Sequence, residues 1–463
     1  MHQMDVDTAF LYSEIKEEIY VKPPDGWNST PGKVFRLNKA LYGLKQSSRE
    51  WNSNINAFLE SQGFTKSEAD PCLYRKLSAE GEILLAIYVD DIIIAASTME
   101  LVNGVEDAFR SKYKMKDLGE LEYVLGVQVD QNRDAGTIRL SQKRYIQDML
   151  ESFGMSDCNG SITPLSPSLY LSKQDCPSTD EDKRYMEQFR YREAVGSLLW
   201  LANGTRPDIA YAVAQVAKFM SNPGKPHWAA IKSIMRYLKG TMDLGITYSR
   251  ESPTDQEPMG WARGILPKDD LLNDIVDMNR KRQKSHAKLE GFVDSDYAND
   301  PDNRRSITGY VFKLAGGPIS WTSRQQVSVA LSTMEAEYMG ACAATQDAMW
   351  LKLLLQDLGM GGDNKAIVIN EDERVEFKAS SKSDADPITL HEDNKACIAF
   401  SKNPGDFRRS KHIDVRYHYV RERVEAEDVE LVYIKTNVQL ADMFTKALTA
   451  IQFKFLRYLM MGC

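Results

Sequence analysis

Apolar residues recur at helical spacing in REWNSNINAFLESQGF (49–64), which predicts an amphipathic helix stopped at Gly63. The period then changes. LLAIYVDDIIIAAS (84–97) has two apolar, β-prone runs around Asp90 and Asp91, a pattern that predicts a hairpin with both aspartates at its tip. A further helix is expected over 100–113, two strands around the RDAG turn within 123–142, and a helix over 142–155. Residues 1–155 therefore read as one mixed α and β segment.

Residues 156–189 are rich in Ser, Pro and Asp and read as a linker. Three helices are expected within 190–250: one ending near Gly204, one opened by Pro207 and one stopped at Gly240. Residues 251–288 are polar and weakly patterned, an expected insertion. From 289, LEGFVDSDYA and ITGYVFKLAGGPISWTS read as strands ahead of a long helix over 332–359. A second polar insertion (361–386) follows, then a strand and helix over 387–404, a helix over 415–428, a strand over 429–436 and a helix over 440–448. This order predicts a separate α/β domain over 289–463.

At 463 residues the chain is too long for one core, so two or three domains are expected. Its 43% hydrophobic and 27% charged residues describe an ordinary soluble globular protein. No apolar run reaches the roughly 18 residues of a spanning helix, and the first residues do not resemble a secretory signal. No membrane partner and an intracellular, non-secreted location are expected. The six cysteines (72, 158, 176, 342, 397 and 463) form no CxxC pair, which argues against a zinc cluster or disulfide scaffold and fits a reducing compartment. The formal charge of −8 does not announce a nucleic-acid binder, so local patches must decide.

Candidate chemistry changes the picture at the aspartates. Two adjacent carboxylates inside apolar runs mark either a plain turn or a cation site. MDVDTAFL, near the N-terminus, adds Asp5 and Asp7 in another strand-like run. MDVDTAFLYSEIKEEIYVKPPDGW, VFRLNKALYGLKQSSREW, DPCLYRK, LLAIYVDDIIIA and YKMKDLGELEYVLGVQV, in that order, resemble the reverse transcriptase of copia-type LTR retrotransposons. The resemblance implies a catalytic palm whose metal-binding carboxylates are Asp5, Asp90 and Asp91, with Asp5 preferred over Asp7. Phe10 falls where the family places a gate against the ribose 2′-OH. Lys45, Gln46 and Ser47 lie in its template and nucleotide segment, and Tyr88 opens its YVDD motif. The family's fingers subdomain, which supplies basic residues for the triphosphate, lies upstream of the first matched aspartate. The expectation is therefore a palm lacking most of its fingers.

The segment 191–248 resembles the helices between polymerase and nuclease in the same family. Further on, Asp294 (GFVDSDYAND), Glu335 and Glu337 (STMEAEYMGA), Asp393 (LHEDNKACIAF) and Asp442 (VQLADMFTKAL) put acids on a strand, a helix, a strand end and a helix. Such a set suggests a two-metal nuclease. SKHIDVRYHYVRERV and QLADMFTKAL resemble the family's ribonuclease H domain, whose Asp-Glu-Asp-Asp set matches Asp294, Glu337, Asp393 and Asp442. Residues two apart on a helix point in nearly opposite directions; Glu337 is preferred and Glu335 is the alternative. Asp393 is preferred over Glu392. The basic and aromatic run 408–424 offers Arg408, Arg409, Lys411, Arg416 and Arg421 for phosphates, and His412 for substrate.

The expected fold is multidomain α+β and α/β: an N-terminally truncated reverse-transcriptase palm over 1–155, a linker over 156–189, a helical thumb or connection over 190–250, and a C-terminal ribonuclease H-like α/β domain over 289–463. The resemblance implies an RNA-directed DNA polymerase with RNA–DNA hybrid ribonuclease activity, using Mg²⁺ or, in its place, Mn²⁺. Implied partners are RNA template, DNA primer, RNA–DNA hybrid, dNTPs and other Pol and Gag products of the element, in a cytoplasmic particle with nuclear access. Two alternatives stay open: only the ribonuclease H acts, or the chain is a decayed or co-opted nucleic-acid-binding remnant.

Overall fold

A computed structural model describes residues 1–27, 32–250, 288–360, 387–402 and 418–462. Arg408, Arg409, Lys411, His412 and Arg416 lie outside the described residues, as do the expected insertions 251–287 and 361–386. The chain divides into two compact units, one built on Met1–Val124 with the stretch from Trp350, the other on Leu125–Met349 and the C-terminal residues.

In the first unit the strands are β1 (His2–Val6), β2 (Tyr20–Val21), β3 (Phe35–Arg36), β4 (Thr65–Lys66), β5 (Leu73–Ser78), β6 (Gly81–Tyr88), β7 (Asp91–Ala96), β8 (Met115–Glu120) and β9 (Tyr123–Val124). Helices α1 (Ser47–Ser61) and α2 (Met99–Lys112) accompany them. Six strands form an antiparallel sheet in the order β4-β5-β6-β7-β1-β8, while β2 and β3 pair separately. Alternation decides the faces. Met4, Val6, Ile83, Leu85, Ile87, Ile92 and Ile94 are buried in one cluster with Trp51, Ile55, Phe58 and Leu59 of α1 and Val102, Val105 and Phe109 of α2. The intervening Asp5 and Asp91 are only partly buried. They fall on the sheet face opposite the helices.

The second unit begins with β10 (Val127–Asn132), β11 (Thr137–Ser141) and α3 (Lys143–Ser152). It continues through α4 (Asp180–Glu187), α5 (Tyr191–Gly204), α6 (Ala210–Ala217), α7 (Lys225–Gly240) and β12 (Gly245–Ser249). Beyond 287 come β13 (Glu290–Asp296), β14 (Ile307–Leu314), β15 (Gly317–Gln325), α8 (Thr333–Asp357), β16 (Ile388–Glu392), α9 (Lys395–Lys402), α10 (Tyr419–Glu425), β17 (Val429–Tyr433), α11 (Asp442–Thr445) and α12 (Ala450–Met461). A five-stranded mixed sheet runs β15-β14-β13-β16-β17, antiparallel through β13 and parallel from β13 to β17.

The division of the chain differs from the sequence reading. The mixed N-terminal segment ends at Val124 rather than 155, because β11 pairs along its length with β12 and Ile146, Met149 and Leu150 of α3 join the core of the second unit. That core also takes Leu198 and Leu201 of α5, Ile231 and Ile234 of α7, Phe292 of β13 and Leu456 of α12. The expected connection is therefore packed into the same core as the C-terminal sheet. The expected linker contributes Leu165 and Leu171 to it and carries α4. Sparse patterning concealed these anchors, since a few apolar residues between Pro and Ser bury well when a neighbour supplies the wall. A wholly buried ion pair lies in the same body: Arg206 Nε and Nη2 donate to Asp208 Oδ1 and Oδ2 at 2.9 and 2.7 Å, and Arg457 Nη1 of α12 bonds the Tyr237 hydroxyl at 3.0 Å. Helix α12 had no counterpart in the sequence reading. Among the described residues no helix is long and apolar enough to cross a membrane.

Candidate active site

The register of the first sheet puts Asp5 of β1 directly opposite Asp91 of β7 on one side and Lys116 of β8 on the other. Directly opposed side chains are the close neighbours of a sheet. Lys116 Nζ stands 3.5 Å from Asp5 Oδ1 and 2.7 Å from Asp7 Oδ1, and Lys114 lies 2.9 Å from Asp7 Oδ2. These lysines hold the Asp7 carboxyl below its ordinary range, so Asp7 is an ion-pair residue beyond the strand end. Asp91 accepts from Gln3 Nε2 at 3.0 Å. Its carboxyl is nonetheless raised, first by burial and then by the charges of Asp90 and Asp5.

The hairpin tip is sharp: Tyr88 pairs with Asp91, leaving only Val89 and Asp90 in the turn. Val89 has φ 57°, a left-handed conformation that is uncommon for a β-branched residue. Its carbonyl accepts from Trp51 Nε1 at 2.6 Å, and the Asp90 carbonyl accepts from Val6 N at 2.9 Å, so both turn residues are tied down. Phe10 is buried with its ring centroid 4.6 Å from that of Tyr42. The Tyr42 hydroxyl is raised by burial and by the charges of Asp90 and Asp5, which sets Phe10 and Tyr42 beside the aspartates. Tyr88 and Lys45 are exposed, and Gln46 precedes α1 as its N-cap.

The second constellation is tighter. Asp294, Asp393 and Asp442 each offer an oxygen within 4.8 Å of the others, and so do Glu337, Glu392 and Asp393. Among the described residues the one other such group is His2, Glu106 and Asp117; Asp5, Asp90 and Asp91 do not come that close. Asp294 sits in β13, the central strand, opposite Gly309 of β14. A Cβ on Gly309 would lie 2.6 Å from Phe444 Cβ and 2.8 Å from Thr445 Cγ2, so a glycine there lets α11 bring Asp442 onto the strand. Gly340 does the same for α8, since a Cβ would meet Ser295 Oγ at 2.4 Å. Glu337 thereby reaches the strand, whereas Glu335 accepts a hydrogen bond from Leu331 N at 2.8 Å at the helix start.

Electrostatic strain marks this cluster. Glu337 and Glu392 are pushed well above the ordinary carboxylate range, first by burial and then by neighbouring carboxylates. Asp442 is pushed up to about 7 by burial and by Asp294, with Lys446 opposing. Thr445 Oγ1 donates to Asp294 and Thr436 Oγ1 to Asp393 Oδ2, the latter at 2.6 Å. Glu337 Oε2, Glu392 Oε2 and Asp442 Oδ2 are buried without a hydrogen-bond partner. Unpaired buried carboxylate oxygens are costly. A converging set of hard oxygen donors fits a divalent cation such as Mg²⁺ or Mn²⁺. Asp294, Asp393 and Asp442, with Glu337, would hold it.

Glu392 is the residue that the sequence reading passed over. It is wholly buried and belongs to the cluster alongside its neighbour Asp393. A charged residue at the end of an otherwise apolar strand was the available signal. Arg421, expected to contact phosphate, is instead buried over the Phe400 ring at 4.8 Å. Asp296, next in alternation after Asp294, bonds Asn299 and is raised by burial.

Residues 1–167 match the family described as reverse transcriptase (RNA-dependent DNA polymerase). The chain is 37% identical over 462 residues, 99% of its length, to a retrovirus-related Pol polyprotein from transposon TNT 1-94 of Nicotiana tabacum, of which it covers 30%. It is 31% identical over 456 residues to the Pol polyprotein from transposon RE1 of Arabidopsis thaliana, covering 98% of this chain and 27% of that one. A putative transposon Ty5-1 protein of Saccharomyces cerevisiae is 31% identical over 341 residues, 73% of this chain and 98% of the relative. The chain thus spans about a third or less of the length of the first two relatives.

Proposed function

Because this chain belongs to the retrovirus-related Pol polyproteins of copia-type transposons and includes their reverse transcriptase segment, we propose that it carries two metal-dependent phosphoryl-transfer centres. One is an RNA-directed DNA polymerase centre at Asp5, Asp90 and Asp91. The other is a ribonuclease centre, acting on the RNA of an RNA–DNA hybrid, at Asp294, Glu337, Asp393 and Asp442. Its partners would be RNA template, DNA primer and dNTPs, within an intracellular particle of the element. The observation that carries the nuclease half is the convergence of carboxylates from β13, α8, the end of β16 and α11 in two triads that share Asp393, with oxygens left unpartnered where a cation would sit.

Divalent metal, when bound, supplies Lewis acidity and an activated water. The chain's own residues supply the rest. Asp294 is held in place by Thr445, and Asp393 by Thr436. Water would add to the scissile phosphorus as the P–O3′ bond breaks, leaving a 5′-phosphate and a 3′-hydroxyl. A second reading, that only the nuclease acts, is favoured by one fact: the first three aspartates do not bring their oxygens within the 4.8 Å reached by the second set.

Primer extension on an RNA template and cleavage of a labelled RNA–DNA hybrid, measured on the purified chain, separate the readings. Two activities are expected, extension abolished by Asp90→Asn and cleavage by Asp294→Asn. Cleavage without extension supports the second reading. Neither activity, at saturating Mg²⁺ and Mn²⁺, refutes both.

A further inference from the structure

Lys446 stands at the edge of the second acidic centre, and the nuclease reading does not use it. Its Nζ is 2.9 Å from Asp442 Oδ1 and 3.7 Å from Asp294 Oδ2. Among the described residues these are the ion pairs of the two carboxylates, and both come from this one ammonium. A cation that bridges Asp294 and Asp442 occupies the place that a divalent ion held by the same pair would need. Two cations at one carboxylate pair repel, so the ammonium and the metal compete.

The structure also gives the lysine somewhere to go. Its backbone is fixed at the end of α11, where Lys446 N donates to Asp442 O at 3.2 Å. The side chain is not enclosed, being 35% exposed. It lines a cavity of about 160 Å³ together with Tyr211, Gln215, Asn299 and Asp296. A lysine stem is flexible and its ammonium is a point charge, suited to leaving one anion for another. A phosphodiester entering from the cavity side would meet that ammonium beside the metal centre.

We propose that Lys446 is a stand-in cation: it neutralises Asp294 and Asp442 when metal is absent, and passes to a backbone phosphate of the bound hybrid when metal enters. The inference rests on the reading of this cluster as a metal centre. It makes Lys446 a positioning residue for substrate and a competitor for metal, two roles that a purely structural ion pair would not combine.

The test measures metal affinity directly. The full chain carrying Asp90→Asn, so that the first aspartate centre does not contribute, is titrated with Mn²⁺ by calorimetry, with and without Lys446→Gln. Loss of the competitor should tighten Mn²⁺ binding by about three- to tenfold, the scale of one partly exposed ion pair. Lys446→Arg keeps the charge and should bind Mn²⁺ no more tightly than the parent. In the otherwise wild-type chain, Lys446→Gln should raise KM for the hybrid several-fold while kcat changes less. Unchanged or weaker Mn²⁺ binding in Lys446→Gln overturns the proposal, and an unchanged KM overturns the passage to phosphate. Should Lys446→Gln fail to fold, tightened binding in Lys446→Arg overturns it equally. Adding Asp442→Asn separates the two failures: if that change leaves Mn²⁺ affinity unaltered, the metal-centre reading itself fails.

Discussion

Replacing Asp442 by Asn should stabilise the metal-free protein, and the gain should depend on pH. The Asp442 carboxyl moves from an ordinary 3.8 to about 7 on folding. Its folded form therefore holds a proton more tightly than the unfolded chain does. The associated stability is fully present below about pH 3.8 and is lost as pH rises through about 7. At about 1.36 kcal/mol per pKa unit, ionising this group costs the fold roughly 4 kcal/mol in full. Between pH 5 and pH 8 the folded protein sheds the proton while the unfolded chain is already ionised, so roughly 3 kcal/mol of that cost falls in this window. Asn mimics the protonated acid and does not titrate. Its advantage over Asp in urea denaturation, measured in EDTA, should grow by up to about 3 kcal/mol from pH 5 to pH 8. Growth of more than about 1 kcal/mol bears out the reasoning. Saturating Mg²⁺ should erase or reverse the gain, because metal binds the folded wild-type site. An Asn advantage that is equal at the two pH values, or that falls at pH 8, would refute the argument.

Three other substitutions test buried charges of the second unit. Glu337→Gln should abolish hybrid cleavage while leaving the thermal midpoint unchanged or higher, since it removes one of the clustered buried charges. Glu335→Gln should keep cleavage and cost about 1 kcal/mol in urea denaturation, as a weakened contact at a helix start. Arg206→Met strands the buried Asp208 carboxylate and should cost about 3–5 kcal/mol, lowering the urea midpoint of the unit that holds the mixed sheet.

Local chemistry made much of this protein readable in one dimension. The alternation through LLAIYVDDIIIA yields the hairpin and the position of its aspartates, because strand period and turn chemistry act over a few residues. The same holds for α1, for the long helix from Thr333, for Asp294 within β13 and for Asp393 just past β16. The motifs that resemble the copia-type reverse transcriptase depend only on order and spacing, and residues 1–167 match that family.

Tertiary structure decided what depends on distant partners. The boundary at Val124 follows from β11 finding β12 more than a hundred residues later, and no local period encodes that pairing. The inclusion of Glu392 and the choice between Glu335 and Glu337 follow from how closely α8 and α11 approach β13, which Gly340 and Gly309 permit. The position of Lys446 depends on the same approach. A carboxylate's neighbours, and so its proton affinity, are properties of folded space. The sequence by itself supplied the acids and their order; only the packed sheet brought them within reach of one cation.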